Sequence, residues 1–413
     1  MKKVLQIAAL ALMTYSAMAQ QTNVTLSMGP SYVNEVYYKL SSEETNTYPA
    51  ASWDIAFLRE SSQNIGIRVN DGIGTQVFEA SNDPDDFNNI NIADEYSWTQ
   101  LYNDDTNWDN GAFMQGSASY GWGEYNPISH HVEGTIVFVL KYVNGTYRKF
   151  INQDYYGGYT FKYATWNGTS WIDETTATVS NTNNPENRYN YYSFVNNAEV
   201  VAEPATSDWD FVFTKYNTFL DPPGENYVVT GTLQNPNVTI AKNDEPTGEG
   251  NPNGLDYSED INTIGYDWKV FDGSGYAVNS DMTYYIKYDD STVYRLAFDT
   301  FEGGSTGNLS FNFEDVSDLL GLENITEGVT FGMYPNPSTD KMVNIVYDLK
   351  NSSSQENNIS IYNIQGQLVH TSKIDANNGF YNKTLDLSSL SSGIYIVHFK
   401  AGDSSTSKKL ILN

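Results

Sequence analysis

The sequence predicts an all-β protein. Aromatic residues make up 14% of the 413-residue chain, and 32 residues are tyrosine. Tyr, Thr, Val and Ile suit half-buried pleated surfaces, while Gly, Asn and Asp supply the turns between strands. No long stripe of apolar residues at helical spacing competes with this pattern. The length is sufficient for about two to four domains.

The first residues predict export. Lys2 and Lys3 precede a short apolar stretch that ends in Ala17-Met18-Ala19. This order of features is typical of a secretory signal peptide with an A-x-A cleavage site. The apolar stretch is short for a membrane span, and no second one follows. We therefore predict a signal peptide over residues 1–19 and no transmembrane segment.

Cysteine content and charge exclude several classes of protein. The chain contains no Cys, which excludes disulfides, thiolate chemistry and an N-terminal lipid anchor on Cys. Residues 20–332 carry 13 basic and 45 acidic residues, whereas residues 333–413 carry 7 and 6. A body with this excess of acidic residues repels phosphate backbones. We therefore expect no nucleic-acid partner. The change in charge predicts a domain boundary near residue 332, preceded by a linker over 319–331.

The C-terminal tail has short strand-like segments at regular spacing. Turn residues such as Gly366 separate them. The segments are MVNIVYDL (342–349), NISIYNIQGQLVH (358–370), FYNKTLDL (380–387), GIYIVHFKAG (393–402) and SKKLILN (407–413). Several strands within about 80 residues predict a small Ig-like β-sandwich.

The tail also resembles a known family. The order GMYPNPS, ISIYNIQGQLV, LDLSSLSSGIYIVHF and a Lys-bearing apolar end is similar to the type A C-terminal sorting domain of the Bacteroidota type IX secretion system. The resemblance covers residues 332–413. It implies export through the type IX machinery to the outer surface of a Gram-negative bacterium, with release or surface attachment of the cargo.

The body contains a repeat. SWDIAFLRE (52–60) returns 156 residues later as DWDFVFTKY (208–216), and the preceding YYKL and YYSF lie 154 residues apart. Downstream, two hairpin patterns and two closing strands repeat in the same order at spacings of 146 to 150 residues. This agreement predicts two copies of one domain, over residues 20–180 and 181–318.

The repeated Trp-Asp segment has the alternation of a core strand. Period-2 spacing places Trp53, Ile55 and Phe57 on one face and Asp54 on the other. The second copy repeats the pattern. We expect the aspartates of both copies, Asp54 and Asp210, to bind nearby backbone amides rather than to act in catalysis.

Residues 30–318 resemble the HmuY family of secreted or surface haem-binding proteins. The resemblance lies in YYKL with SWDIAF, in GWGEYNPISHHVEG (121–134), in the hairpin VFVLKYVNGTYRKF (137–150), in GGYTFKY, and in their counterparts in the second copy. It implies an all-β fold that holds haem between loops, with side chains as axial ligands to the iron. Haem or a haemoprotein would then be a partner.

The first copy contains the candidate haem ligands. His130 and His131 are adjacent and are the only histidines in residues 20–332. Adjacent side chains on extended chain point to opposite sides, so we expect one of them to reach the iron, with Met114 or a tyrosine as the second ligand. Trp122 and Tyr125 are candidates to stack on the porphyrin. The alternative is that the histidines belong to a polar loop. The second copy contains no histidine.

Other chemistry finds weaker support. Residues 105–111 read DTNWDNG but lack the Gly and Glu that an EF-hand requires, so calcium is possible only as a surface site. No nucleophile, zinc-helix or phosphate-loop motif appears, and we predict a non-enzymatic protein. The sequence favours a secreted ligand-binding protein, with haem capture first. The alternative is a surface adhesin or glycan-binding protein, and a secreted hydrolase with paired carboxylates is the weakest class.

Overall fold

The computed structural model describes residues 21–59, 64–246, 250–320, 329–349, 357–374, 379–401 and 404–413. They fall into two compact units. The larger runs to Gly250 and from Leu255 to Val316, and the smaller comprises Asn251–Gly254 and the residues from Ser317 onward. The predicted signal peptide lies outside the described residues. Strands and short 3₁₀ helices form the regular structure of the described chain, which confirms the all-β prediction.

Strands β1 to β23 belong to the larger unit. They are β1 (Thr22–Ser27), β2 (Asn34–Lys39), β3 (Glu44–Pro49), β4 (Ile55–Leu58), β5 (Ile67–Val69), β6 (Gln76–Ser81), β7 (Thr99–Leu101), β8 (Gly123–Asn126), β9 (His131–Gly134), β10 (Val137–Lys141), β11 (Tyr147–Tyr155), β12 (Gly158–Trp166), β13 (Trp171–Ser180), β14 (Tyr189–Ser193), β15 (Ala198–Val200), β16 (Phe211–Leu220), β17 (Glu225–Gln234), β18 (Val238–Asp244), β19 (Lys269–Phe271), β20 (Tyr276–Val278), β21 (Met282–Tyr288), β22 (Val293–Phe301) and β23 (Asn308–Asp315). The 3₁₀ helices of the described chain are Pro30–Tyr32, Asp71–Ile73, Pro84–Asn88, Ile92–Ser97, Ala112–Gln115, Thr206–Asp208, Gly303–Ser305 and Ser317–Leu319.

The larger unit contains two lobes, each built from two main sheets. In the first lobe, one sheet has the order β13-β12-β11-β10-β6-β7 with β8 and β9 attached, and the other has the order β15-β14-β4-β5. In the second lobe, the orders are β1-β23-β22-β21-β18 and β17-β16-β2-β3, with β19 and β20 as a separate hairpin. Each lobe has its own apolar core.

The two lobes exchange strands relative to the two copies that the sequence predicts. The first lobe uses β4 to β15 in sequence, whereas the second uses β16 to β23 and then takes β1, β2 and β3 from the N-terminal segment. Tyr192 of β14 pairs with Ile55, and at the matching position Tyr38 of β2 pairs with Phe211. The lobes therefore do not coincide with residues 20–180 and 181–318, because backbone pairing assigns each Tyr-rich strand to the other Trp-Asp strand.

The predicted face of the Trp-Asp segment is wrong for its tryptophan. Ile55 and Phe57 point into the core of the first lobe, but Trp53 packs on the opposite side with Ala56. Trp209 likewise lies outside the core of its lobe. The strand begins only after the aspartate, where the chain bends, and the bend interrupts the alternation of side chains.

The smaller unit is a two-sheet β-sandwich, as the sequence predicts. Its strands are β24 (Val329–Tyr334), β25 (Met342–Leu349), β26 (Asn358–Asn363), β27 (Leu368–Lys373), β28 (Gly379–Asp386), β29 (Gly393–Ala401) and β30 (Ser404–Leu412). The sheets have the orders β24-β25-β28 and β27-β26-β29-β30 and enclose a common core. The first strand begins within the predicted linker, of which residues 321–328 lie outside the described chain.

Candidate functional site

Residues 127–130, which we call the histidine loop, form the tip of the β8–β9 hairpin. The side chain of Asn126 accepts hydrogen bonds from the amides of Ile128 and Ser129, and its carbonyl accepts one from the amide of His130 (2.8 Å). This turn holds His130 at φ 63°, a left-handed conformation that is unusual for a residue other than Gly. The Nδ1 atom of its ring lies 2.8 Å from the hydroxyl of Tyr125. The loop thus fixes the imidazole through both its backbone and its ring.

His130 lines an open cleft of about 730 Å³. Tyr125 forms part of the same wall and is 46% exposed. Tyr156 also lines the cleft and is 69% exposed. The other lining residues include Ile65, Tyr120, Val132 and Tyr155. We call this space the first-lobe cleft. Its size lies in the range of small-molecule sites, and its walls are mainly aromatic with polar hydroxyl edges.

His131 faces away from this cleft. Its Nδ1 atom lies 2.7 Å from a carboxylate oxygen of Asp154, and its ring stacks on Tyr156 with centroids 4.6 Å apart. It is not among the residues that line the cleft. His130 is therefore the histidine that lines the cleft. It lies in the turn rather than on extended chain, so strand alternation does not account for the separation of the two rings.

Two other candidates lie elsewhere. Trp122 is completely buried in the core of the first lobe, where its Nε1 donates a hydrogen bond to the carbonyl of Ile65 (3.2 Å). Its ring therefore has no free face for a ligand. Met114 lies in the 3₁₀ helix Ala112–Gln115 and packs against the same core, outside the cleft lining. Of the five candidates, the structure brings His130 and Tyr125 together at the cleft.

Sequence reasoning missed the tyrosines that complete the cleft. Tyr155 ends β11, Tyr156 follows it, and Tyr120 precedes the β8–β9 hairpin. The doublet before Gly157 was the available signal, because a glycine at the end of a strand marks a turn at which exposed aromatic rings gather. Only the pairing of β9 with β11 brings this doublet beside the histidine loop.

Protein contacts occupy the acidic loop around residues 105–111, where the sequence left a surface calcium site possible. Asp104 accepts hydrogen bonds from Thr106 and Asn110, while Asp109 pairs with Arg188. Among the described residues no group of three or more His, Asp or Glu side chains is placed to hold a metal ion. Calcium binding therefore stays a prediction without a structural counterpart in the described chain.

Buried carboxyl groups lie where the two lobes meet. Burial raises the pKa of Glu35 to about 7 and that of Asp71 to about 6, although hydrogen bonds and Arg68 act in the opposite direction. These two acids line a cavity of about 50 Å³. Such a space has room for a few water molecules but not for a sugar ring. The pair therefore gives little support to the hydrolase alternative.

Comparison with known families places the smaller unit. Residues 332–413 match the model of the secretion system C-terminal sorting domain. This segment is a type IX sorting domain. The sorting domain indicates that the protein is exported to the cell surface or secreted, and it implies recognition by the secretion machinery.

The body receives no such assignment. The family comparison adds no support to the resemblance of residues 30–318 to HmuY. No curated protein matches the chain. In the described residues, none of the helices has the length and hydropathy needed to span a membrane.

Proposed function

We propose that the exported body is a non-enzymatic ligand-binding protein and that the first-lobe cleft takes haem. The observation that supports this most is the position of His130 in the wall of an aromatic cleft. Haem needs a flat apolar slot and at least one axial donor to iron. The rings of Tyr120, Tyr125 and Tyr156 supply the flat surfaces, and the imidazole supplies the donor.

The hydrogen bond at Nδ1 of His130 bears directly on this function. A histidine that binds a metal through one nitrogen commonly hydrogen-bonds through the other, which fixes its tautomer. Here the Nδ1 atom of His130 is engaged with Tyr125, so Nε2 is the nitrogen left for iron. Cleft tyrosines carry the other donor atoms of a type that haem iron accepts. His131, held by Asp154, would support the wall without binding iron.

A haemin titration of residues 20–331 tests the proposal. We expect a sharp, saturable Soret band and at least tenfold weaker binding in His130→Ala. His131→Phe is the matched control, because it removes the adjacent imidazole nitrogens but keeps a ring to stack on Tyr156, and it should change the affinity less than twofold. A broad band that does not saturate, or equal effects of the two substitutions, would contradict haem binding at this cleft.

Glycan binding is the second candidate, and the exposure of the tyrosines favours it. Tyr120, Tyr125 and Tyr156 are 38%, 46% and 69% exposed, as aromatic platforms for sugar rings must be. On this alternative the protein is a surface adhesin, and Tyr156→Ala should abolish binding to neutral oligosaccharides. Loss of haemin binding in the same variant without any glycan binding would count for haem.

A further inference from the structure

The second lobe has a cleft of its own beside the β19–β20 hairpin. Its volume is about 560 Å³. Its lining includes Lys215, Tyr227, Tyr266, Lys269, Phe271 and Tyr276. We call it the second-lobe cleft. It contains no residue of the histidine loop, and it is separate from the site proposed for haem.

The two clefts occupy matching places in the repeat. Tyr125 of the first lobe and Phe271 of the second lie 146 residues apart. Each pairs across its hairpin with a residue that also lines the cleft, namely Val132 and Tyr276. Between these matched pairs the first lobe has six residues, including His130, whereas the second has four. The same place on the scaffold therefore presents different chemistry in each lobe.

Two lysines distinguish the second-lobe cleft. Lys269 stands where the first lobe has Gly123, and Lys215 stands where it has Arg59. The guanidinium of Arg59 is used internally, by hydrogen bonds to the backbone carbonyls of Asn181, Pro185 and Asn187. Lys215 makes no such hydrogen bond in the described structure, and it lines the cleft. Burial lowers the pKa of its amine, and the negative charge of Glu35 opposes this effect.

Lys269 is a nearly buried cation without an acidic partner at contact distance. It is 7% exposed, and its Nζ donates to the carbonyls of Thr230 (2.6 Å) and Tyr266 (3.3 Å). These carbonyls take two of the three N–H donors of the ammonium group, and the amine also lies over the ring of Trp268, 4.3 Å from its centroid. In the described part of the chain no carboxylate lies within 4.0 Å of the Lys269 or Lys215 amine. Burial lowers the pKa of Lys269 to about 7, and a bound anion would oppose this effect.

The charge at this cleft contrasts with its surroundings. The body has 45 acidic against 13 basic residues, yet two amines line one cleft. Asp267 also lines it, but both of its carboxylate oxygens accept hydrogen bonds from Lys242 (2.8 Å each). The cleft therefore presents two amines beside one carboxylate that is already paired with Lys242.

The walls beside the lysines are exposed aromatic rings. Phe271 and Tyr227 are each 58% exposed, and Tyr276 is 40% exposed. The Phe271 and Tyr276 rings pack against each other with centroids 5.2 Å apart, which gives a continuous surface. Exposed rings in one cleft are suited to stack on a flat ring of a ligand, and the adjacent valine, Val270, adds apolar area at 62% exposure.

We propose that the second-lobe cleft binds a ring compound that carries a carboxylate. The ring stacks on the aromatic wall of Phe271 and Tyr276, and the carboxylate is bound by Lys215 and Lys269. Two sources share this chemistry, a uronic-acid saccharide and a planar aromatic acid. The site is independent of haem binding in the first lobe.

Calorimetry on the mature chain with three probes tests this assignment. The probes are trigalacturonate, the neutral galactotriose and 2-naphthoate. We expect at least one of the two acids to bind saturably. If the saccharide is the ligand, galactotriose should bind at least tenfold more weakly than trigalacturonate. The acid that binds identifies the source.

Substitutions then locate the site. Lys215→Met and Phe271→Ala should each weaken binding of the acid about tenfold. Both side chains are partly or largely exposed, so these variants should fold, whereas Lys269→Met removes the donor to the carbonyls of Thr230 and Tyr266. Tyr125→Ala, the matching change in the first lobe, and His130→Ala should have no effect. The proposal is overturned if neither acid binds saturably, if galactotriose binds as well as trigalacturonate without naphthoate binding, or if Lys215→Met binds like the wild type.

Discussion

The carboxylate of Asp210 accepts a hydrogen bond from the backbone amide of Leu40, 170 residues earlier in the chain (2.7 Å). In the first lobe, Asp54 accepts the matching bond from the amide of Phe194 (2.7 Å). Each amide directly follows a Tyr-rich strand. The expectation that Asp54 and Asp210 bind backbone amides is confirmed. The structure adds that these bonds join each Trp-Asp strand to the strand exchanged from elsewhere in the chain.

Loss of Asp210 should destabilise the second lobe. Its buried carboxylate also pairs with Lys39 (2.8 Å) and accepts from the hydroxyl of Tyr288. We expect Asp210→Ala to lower the free energy of unfolding by about 3 kcal/mol, because it leaves a buried amide and a cation unpaired. Urea denaturation measures the change. Asp208→Ala, two residues away and exposed, should cost less than about 0.5 kcal/mol; similar losses in both variants would contradict the role of Asp210.

The exchange of strands predicts which fragments fold. A fragment of residues 181–318 lacks β1, β2 and β3, which leaves β16 and β23 with unpaired edges and exposes the core. We expect it to lack cooperative thermal unfolding. A permuted fragment that joins residues 205–316 to residues 21–50 through a flexible linker should unfold cooperatively. Circular dichroism during heating compares them, and a cooperative transition in the first fragment would contradict the assignment of the lobes.

The buried acids between the lobes predict a pH dependence. Burial raises the pKa of Glu203 to about 7, as it does for Glu35, from an ordinary value of 4.5. Folding then takes up protons between these values, so the contribution of these two groups to stability is greatest below pH 4.5 and is lost as the pH rises toward 7. Each fully shifted group corresponds to about 3 kcal/mol. Asp71 acts in the same direction at slightly lower pH.

Unfolding free energies at pH 5 and pH 7 check this prediction. The wild type should be less stable at pH 7, and Glu35→Gln or Glu203→Gln should reduce the difference, because the amide stays neutral. Glu44→Gln, at an exposed position, is the control. The window stops at pH 7 because Lys269, whose pKa is lowered, contributes the opposite slope above that value. An equal slope in all variants would refute the assignment to these carboxyl groups.

Removal of the sorting domain should abolish export to the surface. The deletion of residues 332–413 in the native host removes the segment that the secretion machinery recognises. The body should then accumulate in the periplasm, on the inner side of the outer membrane. Immunoblots of whole-cell, surface-protease-treated and culture fractions follow it. His370→Ala, a single change within the same domain, is the control and should be exported normally. Normal surface display of the deletion variant would contradict the prediction.

The local pattern of apolar and turn residues was sufficient to predict much of the fold. The hairpins of both copies and the strand Met342–Leu349 occur where alternation and turn residues predict them. The position of Trp53 was not predictable in this way, because a bend at the aspartate shifts the side-chain period by one residue. Nor was the burial of Trp122, since a Trp between two glycines reads equally well as an exposed platform or as a core residue.

The sequence by itself determined the all-β class, the repeat and the sorting domain, because these depend on composition and on neighbouring residues. Tertiary structure alone decided which strands complete each lobe, since YYKL and YYSF have the same local pattern and either could pair with either Trp-Asp strand. The tertiary structure also decided where the two clefts form and which residues line them. Their walls combine residues more than 40 positions apart, such as Tyr227 and Phe271, and backbone pairing rather than local sequence brings such residues together.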